Sequence, residues 1–492
     1  MKTSPFSYRL FILSILLLLS ISFVDAQKKV TVDWDKIITI SETTPTLQVV
    51  VNPMLRRNSP IHKGAFESLK NLGANYVRFV PWFPYPHMAV AELEPPSANK
   101  TFWDFSNIDP IVEDFMKATE GHSVVMNFST IPAWMFVTKQ KEEYSADPDQ
   151  VSWTYNQGTE FRDTTLKELT DYYSRLLSWY TKGGFTDEAG VYHKSGHFYK
   201  FAFWEILNEP DLEHQITVQK YTRIYDAVVI ALKKISPDTK FIGLSLAYEN
   251  DPEWFEYFLD SSHHTGGVLP QAISYHFYGS PNFKGQTIEE YQYAFYDQAN
   301  FFLTKVKYIE NIRKRLAPAC MTTINEIGNI IGDQQGTSIP GDYWNLSGGM
   351  FAYIYVELAK MGIDVAGESQ LVGYPTQYPD VSMINWKNGQ PNARFEVLKL
   401  LKDNFGTGDK MVTSQPNSGE MMTQAFISGK NRKLLLINKR NKELQLELPI
   451  GANGAKVYSV NVSTGNKIVE STLATNKIAL LPYAVTVIQF TD

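Results

Sequence analysis

Short apolar runs rich in β-branched residues alternate with longer stretches of helical periodicity between about residues 46 and 405. Compact apolar runs bounded by turn residues predict buried strands. Eight strand–helix units in succession predict an α/β fold with a parallel sheet closed into a (β/α)8 TIM barrel. The predicted strands are Thr46–Asn52, Tyr76–Trp82, Ser123–Ser129, Lys200–Asn208, Phe241–Leu246, Ile273–Tyr278, Met321–Glu326 and Val365–Gln370.

The segments between these strands place apolar residues three and four positions apart, as amphipathic helices do. An open doubly wound sheet is the alternative arrangement, but no Gly-rich dinucleotide or phosphate-binding motif follows a strand. The pattern therefore favours the closed barrel. Predicted helices include Ile61–Leu72, Thr164–Tyr180, Thr217–Ile235, Glu289–Arg315 and Tyr343–Met361.

After Gly406 the pattern changes to short alternating segments separated by turn residues, which predicts an antiparallel β-sandwich. Residues 27–44 alternate in the same way, and we expect them to add a strand to that sandwich. The barrel is then expected to span residues 45–405 and the C-terminal sandwich residues 406–492. Predicted strands of the sandwich are Lys433–Asn438, Leu444–Leu448, Ala455–Val460, Lys477–Leu481 and Ala484–Phe490.

Residues 1–26 have the pattern of a secretory signal peptide, with Lys2 and Arg9 before the apolar run Leu10–Ile21 and a small residue, Ala26, before Gln27. A membrane anchor is the competing interpretation, but the run is shorter than the ~20 residues that span a bilayer. We therefore predict a secreted protein, with lysosomal or cell-wall association left open.

Charge excludes one class of partner. Removing residues 1–26 takes away two cations and one anion, which moves the net charge from −6 to −7. Nucleic-acid binding needs a basic face, so we expect no nucleic-acid partner and, after signal removal, no membrane insertion. The single cysteine, Cys320, permits no internal disulfide.

Four sequons fit N-glycosylation and agree with a secretory route. We expect Asn127, which lies within a predicted strand, to remain unmodified. The sequons begin at Asn99, Asn127, Asn345 and Asn461.

Two predicted strands end in carboxylates. Strand four closes with Asn208-Glu209-Pro210, and strand seven closes with Asn325-Glu326. Side chains at the carboxyl ends of barrel strands point into the active site, so these groups are expected to meet across the barrel mouth. Glu205 shares the alternation phase of Glu209 and is expected to be buried and paired rather than catalytic.

Two facing carboxyl groups suit glycoside hydrolysis, in which the leaving oxygen is protonated while an oxocarbenium-like transition state forms. One carboxyl must stay neutral to donate a proton. The other must be ionised, and at a separation of about 5 Å it attacks the anomeric carbon and gives a retaining enzyme. Repulsion between the two charges helps to hold the proton on the acid.

Around Asn208-Glu209-Pro210-Asp211, and over nearly the whole mature chain, the sequence resembles glycoside hydrolase family 39 of clan A, which includes β-xylosidases and α-L-iduronidases. The resemblance implies that Glu209 is the general acid/base, that Glu326 is the nucleophile and that Asn208 binds the sugar 2-hydroxyl. It also implies that Arg78 orients the nucleophile and that His276 and Tyr278 line the site. The family's usual Trp before Asn-Glu-Pro is Leu207 in this chain.

Differences between this chain and the family pattern indicate which substrate it binds. Iduronidases carry a Lys shortly after the strand-six His, where this chain has Tyr278. The run His276-Phe277-Tyr278 is similar to the β-xylosidase branch and favours a neutral sugar. We expect an exo-acting enzyme on an oligosaccharide or glycoconjugate, because the long inserts at residues 85–105 and 139–162 can close one end of the cleft. An endo-glycanase and an iduronidase-like enzyme remain alternatives.

Other polar and aromatic residues at the strand ends are candidate substrate contacts. Trp82, Trp134 and Trp386 can stack on sugar rings or pack in the core. Glu368 is a further candidate contact at the barrel rim. The mechanism requires no cofactor, and no cluster with metal-ligand spacing is evident in the sequence. A non-catalytic carbohydrate-binding protein on the same barrel is the alternative outside the enzymes.

Overall fold

The computed structural model describes residues 28–155, 158–282, 285–331, 339–373 and 379–490. The predicted signal peptide lies outside the described residues. No helix in the described ranges is both long and apolar enough to cross a bilayer.

Eight parallel strands form a closed barrel, as the alternation of apolar runs predicts, and the fold class is confirmed. Each strand pairs with its successor, and the eighth pairs with the first. All eight are buried on both faces, which explains why they read as continuous apolar runs rather than as alternating ones. In chain order they are Thr44–Val51, Val77–Pro81, Val124–Met126, Phe203–Glu205, Lys240–Leu246, Ala272–Gly279, Met321–Asn329 and Val365–Glu368.

One longer helix follows each barrel strand and packs its apolar face on the barrel. The sixth-unit helix begins with a complete capping box, in which Thr287 and Glu290 satisfy each other's backbone donors. The eighth-unit helix has Asn392 as its N-cap, and the Asn392 side chain accepts a hydrogen bond from the Arg394 N–H. The helices are His62–Leu72, Asp109–Ala118, Lys167–Thr181, Val218–Lys233, Pro252–Leu259, Ile288–Leu316, Tyr343–Met361 and Ala393–Asn404.

The C-terminal region contains a seven-stranded antiparallel sheet and a smaller three-stranded sheet, in which Lys28–Lys29 pairs in parallel with Leu444–Glu447. The N-terminal strand Thr31–Ile40 forms one edge of the larger sheet and pairs with Lys410–Gln415. The remaining strands of that sheet, in spatial order, are Met421–Ser428, Asn431–Asn438, Val485–Gln489, Lys456–Val460 and Val469–Thr472. The smaller sheet consists of Lys28–Lys29, Leu444–Glu447 and Lys477–Leu480.

The sandwich has a hydrophobic cluster of its own, and one face of its larger sheet also packs into the hydrophobic core of the barrel. Phe426 and Val487 of the larger sheet belong to the same buried cluster as the barrel helices. Phe405, just after the last barrel helix, packs against Phe426 with ring centroids 4.2 Å apart. The sandwich is therefore a packing partner of the barrel.

Three of the four sequon asparagines are buried: Asn127, Asn345 and Asn461. The Asn127 amide donates to the Leu207 carbonyl at 3.0 Å, so this side chain is committed to the interior. Asn99 is exposed. Burial therefore leaves Asn99 as the sequon that a glycosylating enzyme can reach in the folded protein.

Candidate active site

The turn after the fourth barrel strand carries Asn208 and Glu209 in an unusual backbone conformation. Leu207 and Glu209 have positive φ angles of 63° and 43°, and Ser245, near the end of the fifth strand, has 52°. Such angles in residues other than glycine cost about 1–3 kcal/mol each and concentrate at functional sites. The Glu209 N–H donates to the Ser245 carbonyl at 2.8 Å, which joins the turn to the end of the fifth strand.

Glu209 and Glu326 meet across the barrel mouth. One carboxylate oxygen from each glutamate and a ring nitrogen of His276 all lie within 4.8 Å of one another. His276 stands between the acids, with Nδ1 2.8 Å from Glu209 Oε1 and Nε2 3.6 Å from Glu326 Oε1. Strands six and seven pair with His276 directly beside Glu326, so the register of the sheet fixes this contact.

Glu326 is surrounded by donors. The Arg78 guanidinium donates to Oε1 at 2.5 Å, and the Tyr278 hydroxyl donates to Oε2 at 2.6 Å. Burial disfavours the charged carboxylate, but His276, Arg78 and Tyr278 together outweigh burial and hold the pKa of Glu326 below its ordinary value. Glu326 is therefore ionised at neutral pH.

Glu209 has the opposite environment. Burial raises its pKa above the ordinary glutamate value, and the hydrogen bond from His276 offsets only part of the rise. The negative charge of Glu326 raises the pKa further. The pKa of Glu209 is therefore raised while that of Glu326 is lowered, which is the pattern of an acid and a nucleophile that share one site.

His276 is buried and contacts both carboxylates. Burial by itself favours the neutral ring, but the charges of Glu326 and Glu209 reverse this and raise the pKa of His276 above its ordinary value. The imidazole and Glu209 therefore hold a proton in the hydrogen bond between Nδ1 and Oε1.

Arg78 organises the floor of the site. It is fully buried, and its five N–H donors are matched by five acceptors. Besides Glu326, Nε donates to Glu205 at 2.5 Å and Nη1 donates to Gln48 at 2.7 Å. Nη2 donates to Asn208 Oδ1 at 2.7 Å and to Ser245 at 3.0 Å.

Glu205 is the buried counter-ion beneath this floor, and its exposed fraction is 0%. Besides Arg78, it accepts from Asn127 and Ser274 at 2.5 Å and from Asn325 at 2.8 Å. Its oxygens are occupied by protein donors, so Glu205 supports the site without facing the cavity.

Asn208 is held at both ends of its amide. Its oxygen accepts from Arg78, and its Nδ2 donates to Glu213 at 2.8 Å. Trp82 also donates from its indole nitrogen to Glu213, at 2.9 Å. Glu213 therefore links the turn after strand four to the loop after strand two.

A cavity of about 970 Å³ opens above these groups. Its lining includes eight of the residues that the sequence singles out or that the site network contains: Gln48, Trp82, Asn208, Glu209, Glu213, His276, Tyr278 and Glu326. Arg78 lies below the surface of the cavity and acts on its floor. The structure thus brings together six of the predicted site residues around one opening, with Arg78 beneath them.

Glu368, predicted as a substrate contact, is fully buried and forms an ion pair with Arg394 at 2.9 Å. Burial raises the pKa of Glu368 to about 7. The prediction is wrong because the side chain faces the last barrel helix rather than the mouth.

Trp134 and Trp386 are also placed outside the lining of the cavity, against the hydrophobic core. The Trp134 indole donates to the Glu92 carbonyl at 2.9 Å, and the Arg162 guanidinium covers its ring at 4.5 Å. Of the two roles left open for these rings, the structure favours core packing over stacking on a sugar.

Four residues of the network were not predicted. Gln48 donates to the Ser369 hydroxyl at 2.7 Å, and Ser369 lies 2.6 Å from the Tyr278 hydroxyl. The sequence feature that could have identified Gln48 is its polar side chain inside an apolar strand. Ser245 and Ser369 are likewise polar residues inside predicted strands, whereas Glu213 lies in a loop and has no such signal, because only the closed barrel brings its segment to the site.

Glu209, His276 and Glu326 are close enough to hold a metal ion by distance alone. However, the Arg78 guanidinium lies 2.5 Å from the Glu326 oxygen that also faces His276. A cation there would face the fixed positive charge of Arg78, so the donor set fits a proton-transfer site better than a metal centre.

The sequence matches no protein-family model and no curated protein. Solved structures do resemble it. The GH51 α-L-arabinofuranosidase from Thermotoga petrophila RKU-1 superposes with a TM-score of 0.63 at 16% identity, covering 94% of this chain and 100% of that one. The likeness is one of fold.

Two further structures superpose over similar lengths. The monomeric β-xylosidase from Caulobacter crescentus CB15 gives a TM-score of 0.60 at 14% identity, covering 94% of this chain and 99% of that one. The GH30 endoxylanase from Clostridium papyrosolvens C71 gives 0.57 at 13% identity, with 94% and 100% coverage. Because these enzymes belong to different groups, the likeness does not single out family 39.

Proposed function

We propose that this protein is a retaining glycoside hydrolase in which Glu209 is the general acid/base and Glu326 the nucleophile. The observation that carries the proposal is the approach of the two carboxylates to within 4.8 Å at the mouth of a closed barrel. Retaining enzymes have carboxyl groups about 5–5.5 Å apart, whereas inverting enzymes need about 6.5–9.5 Å to admit water. The fold likeness to solved glycosidases supports the same class.

In the first step, Glu326 attacks the anomeric carbon and forms a C–O bond while the bond to the leaving oxygen breaks. Glu209 transfers its proton to that oxygen, so the leaving group departs as a neutral alcohol. The lowered pKa of Glu326 and the raised pKa of Glu209 provide the two protonation states that this step needs.

In the second step, Glu209, now ionised, takes a proton from water as the water oxygen attacks the same carbon and releases Glu326. Both displacements invert the configuration, so the product retains it. Arg78 and Tyr278 stabilise the carboxylate that departs. Asn208, held by Arg78 and Glu213, is positioned to bind the sugar hydroxyl beside the reacting carbon.

We further propose that the substrate is a neutral sugar at the end of a chain. Among the described residues that line the cavity, Lys305 is the one lysine or arginine, and it is paired with Glu249 at 2.7 Å. All five donors of Arg78 bind protein acceptors, so none of the described residues near Glu326 offers an unpaired cation to a uronate. Trp82, Phe83 and Trp153 contact one another and form an aromatic wall at one side, which suits an exo-acting enzyme.

Family 39 membership and secretion belong to the same proposal. The Asn-Glu-Pro-Asp motif and the His-Phe-Tyr run support the β-xylosidase branch of that family. The apolar run before Gln27 supports export. Sequencing the N-terminus of protein recovered from the medium tests export, and an uncleaved N-terminus would contradict it.

The proposal is tested with a panel of 4-nitrophenyl glycosides. Glu326→Gln should abolish turnover of every substrate that the wild type hydrolyses. Glu209→Gln should lower kcat/KM by about 10²–10⁴ for poor leaving groups and less for 2,4-dinitrophenyl glycosides, which leave without protonation. Azide should restore the rate of this variant and yield a glycosyl azide.

Glu67→Gln, on an exposed helix surface, is the control for the substitution itself. Nuclear magnetic resonance of the first product identifies its anomeric configuration. Wild-type rates in both active-site variants, or a product of inverted configuration, would overturn the proposal.

A further inference from the structure

The cavity extends beyond the two carboxylates to an aromatic region formed by two other elements. Tyr248 lies in the loop after the fifth barrel strand, and Phe301 lies on the helix Ile288–Leu316. Both side chains line the cavity and yet are largely exposed, at 54% for Tyr248 and 64% for Phe301. Large aromatic rings held open on the wall of a cavity are candidate ligand contacts.

This region lies on the acid's side of the cavity. Asp211, two residues after Glu209, accepts backbone N–H groups from both Ala247 and Tyr248 at 3.0 Å. The loop that carries Tyr248 is therefore fastened to the turn that carries the acid. Since the acid protonates the leaving oxygen, the group attached to that oxygen must extend along the acid's side.

The Phe301 ring is held by a contact with a charged side chain of its own helix. The ammonium group of Lys305, four residues further along the same helix, lies 4.4 Å from the ring centroid. Lys305 in turn donates to Glu249 at 2.7 Å and to Asn250. The loop and the helix are thus joined through a charged pair directly beside an exposed ring.

We propose that Tyr248, Phe301 and the Lys305–Glu249 pair form a subsite for a sugar ring in the leaving group. This rests on the proposed function and names its substrate as an oligosaccharide. A pyranose or furanose ring offers an apolar C–H face to an aromatic ring and hydroxyl groups to charged neighbours. A purely aromatic leaving group would use the rings and leave the charged pair without a ligand partner.

The test compares two substrates that share the sugar the wild type prefers in the 4-nitrophenyl panel. One is its glycosyl fluoride, whose leaving group has no ring, and the other is a disaccharide chosen from a linkage series. Phe301→Ala should lower the ratio of kcat/KM, disaccharide over fluoride, about tenfold, and adding Tyr248→Ala should lower it about 100-fold. Lys305→Met should lower the same ratio while keeping the side-chain stem.

Tyr308→Ala is the matched control, because Tyr308 is an aromatic residue of the same helix, 52% exposed and outside the cavity lining. This control should leave the ratio unchanged. Equal losses on both substrates for Phe301→Ala, or no loss on either, would overturn the subsite. A loss confined to bulky aryl glycosides would overturn the sugar assignment in favour of an aromatic leaving group.

Failure of the underlying function gives a different result. A wild type that hydrolyses the fluoride but no disaccharide of the series contradicts the subsite alone. A wild type that hydrolyses neither substrate contradicts the proposed glycosidase and the subsite with it.

Discussion

His276 Nδ1 lies 2.8 Å from Glu209 Oε1, so the imidazole and this carboxyl group share a hydrogen bond. The other ring nitrogen of His276 faces Glu326 at 3.6 Å. One side chain therefore influences the acidity of both carboxyl groups.

His276→Gln should move the whole pH profile of kcat/KM to higher pH. The charge and hydrogen bond of His276 lower the pKa of Glu209 and its charge lowers the pKa of Glu326, so both values rise when the imidazole is lost. The acidic limb of the profile then shifts to higher pH with the pKa of Glu326, and the alkaline limb shifts to higher pH with the pKa of Glu209. His263→Gln, at an exposed position, is the control. A profile that moves to lower pH or keeps its place contradicts the assignment.

Tyr278→Phe should lower kcat/KM about 10–100-fold, because a hydrogen bond to a charged group contributes about 1.5–3 kcal/mol. The acidic limb should also shift upward, since the hydroxyl helps to keep the pKa of Glu326 low. Tyr275→Phe is the matched control on the same strand, because Tyr275 is buried and its hydroxyl has no partner among the described residues. Similar pH profiles for the two variants would contradict the role of Tyr278.

Arg78→Lys should lower the free energy of unfolding by about 3–5 kcal/mol, measured by urea titration, as breaking a buried ion pair does. A lysine cannot reach Glu205, Glu326 and Asn208 together, so buried acceptors lose their donors. Arg57→Lys is the control, since Arg57 is exposed and pairs with Glu113 and Asp114 on the surface. That variant should cost less than about 1 kcal/mol. Equal costs would show that the Arg78 network is not buried in solution.

Glu92→Gln should raise the thermal midpoint relative to the wild type, and increasingly so from about pH 5 to about pH 9. Burial raises the pKa of Glu92 from 4.5 to about 8, so the folded protein holds this carboxyl neutral. The resulting stability is fully present below pH 4.5 and is lost as pH rises through about 8. Gln keeps the acceptor for the Phe102 N–H, which Glu92 Oε1 now accepts at 3.1 Å, and has no charge to bury.

Thermal unfolding at three pH values measures this difference. Glu94→Gln is the nearby control, because Lys141 lowers the pKa of Glu94 and its removal should produce no such rise. A constant difference between wild type and Glu92→Gln across this pH range would contradict the buried neutral carboxyl.

The strand positions could be predicted because buried parallel strands carry their signal locally, in the apolar composition of each run. Predicted and observed strands agree to within about three residues at most ends, as at Phe241–Leu246 against Lys240–Leu246. Lys200–Asn208 is longer than the observed Phe203–Glu205, because the turn with positive φ angles at Leu207 and Glu209 interrupts the strand. Three strands of the larger sheet were not predicted, Lys410–Gln415, Met421–Ser428 and Val469–Thr472, since polar residues interrupt their apolar runs.

Placement at the cavity could be predicted where a motif fixed the backbone, but not where the orientation of the side chain decided it. Glu209 lies in the turn after the fourth strand, and Glu326 lies in the seventh strand, where the register places it beside His276, so both face the cavity. Glu368 also ends a strand, but its side chain turns toward Arg394 on the last helix. The sequence alone does not show whether the Glu368 side chain faces the cavity or contacts a helix that begins 25 residues later.

The sequence by itself determined the eightfold alternation, the change to a sandwich and the two carboxylates, because periodicity and strand-end motifs are local properties of the chain. The tertiary structure decided the distances that give those carboxylates different acidities, since burial and the charges that shift their pKa values come from strands two, six and seven and from the turn after strand four. It also decided which aromatic rings face the cavity, because a tryptophan fits a core or a binding wall equally well until the packing around it is known.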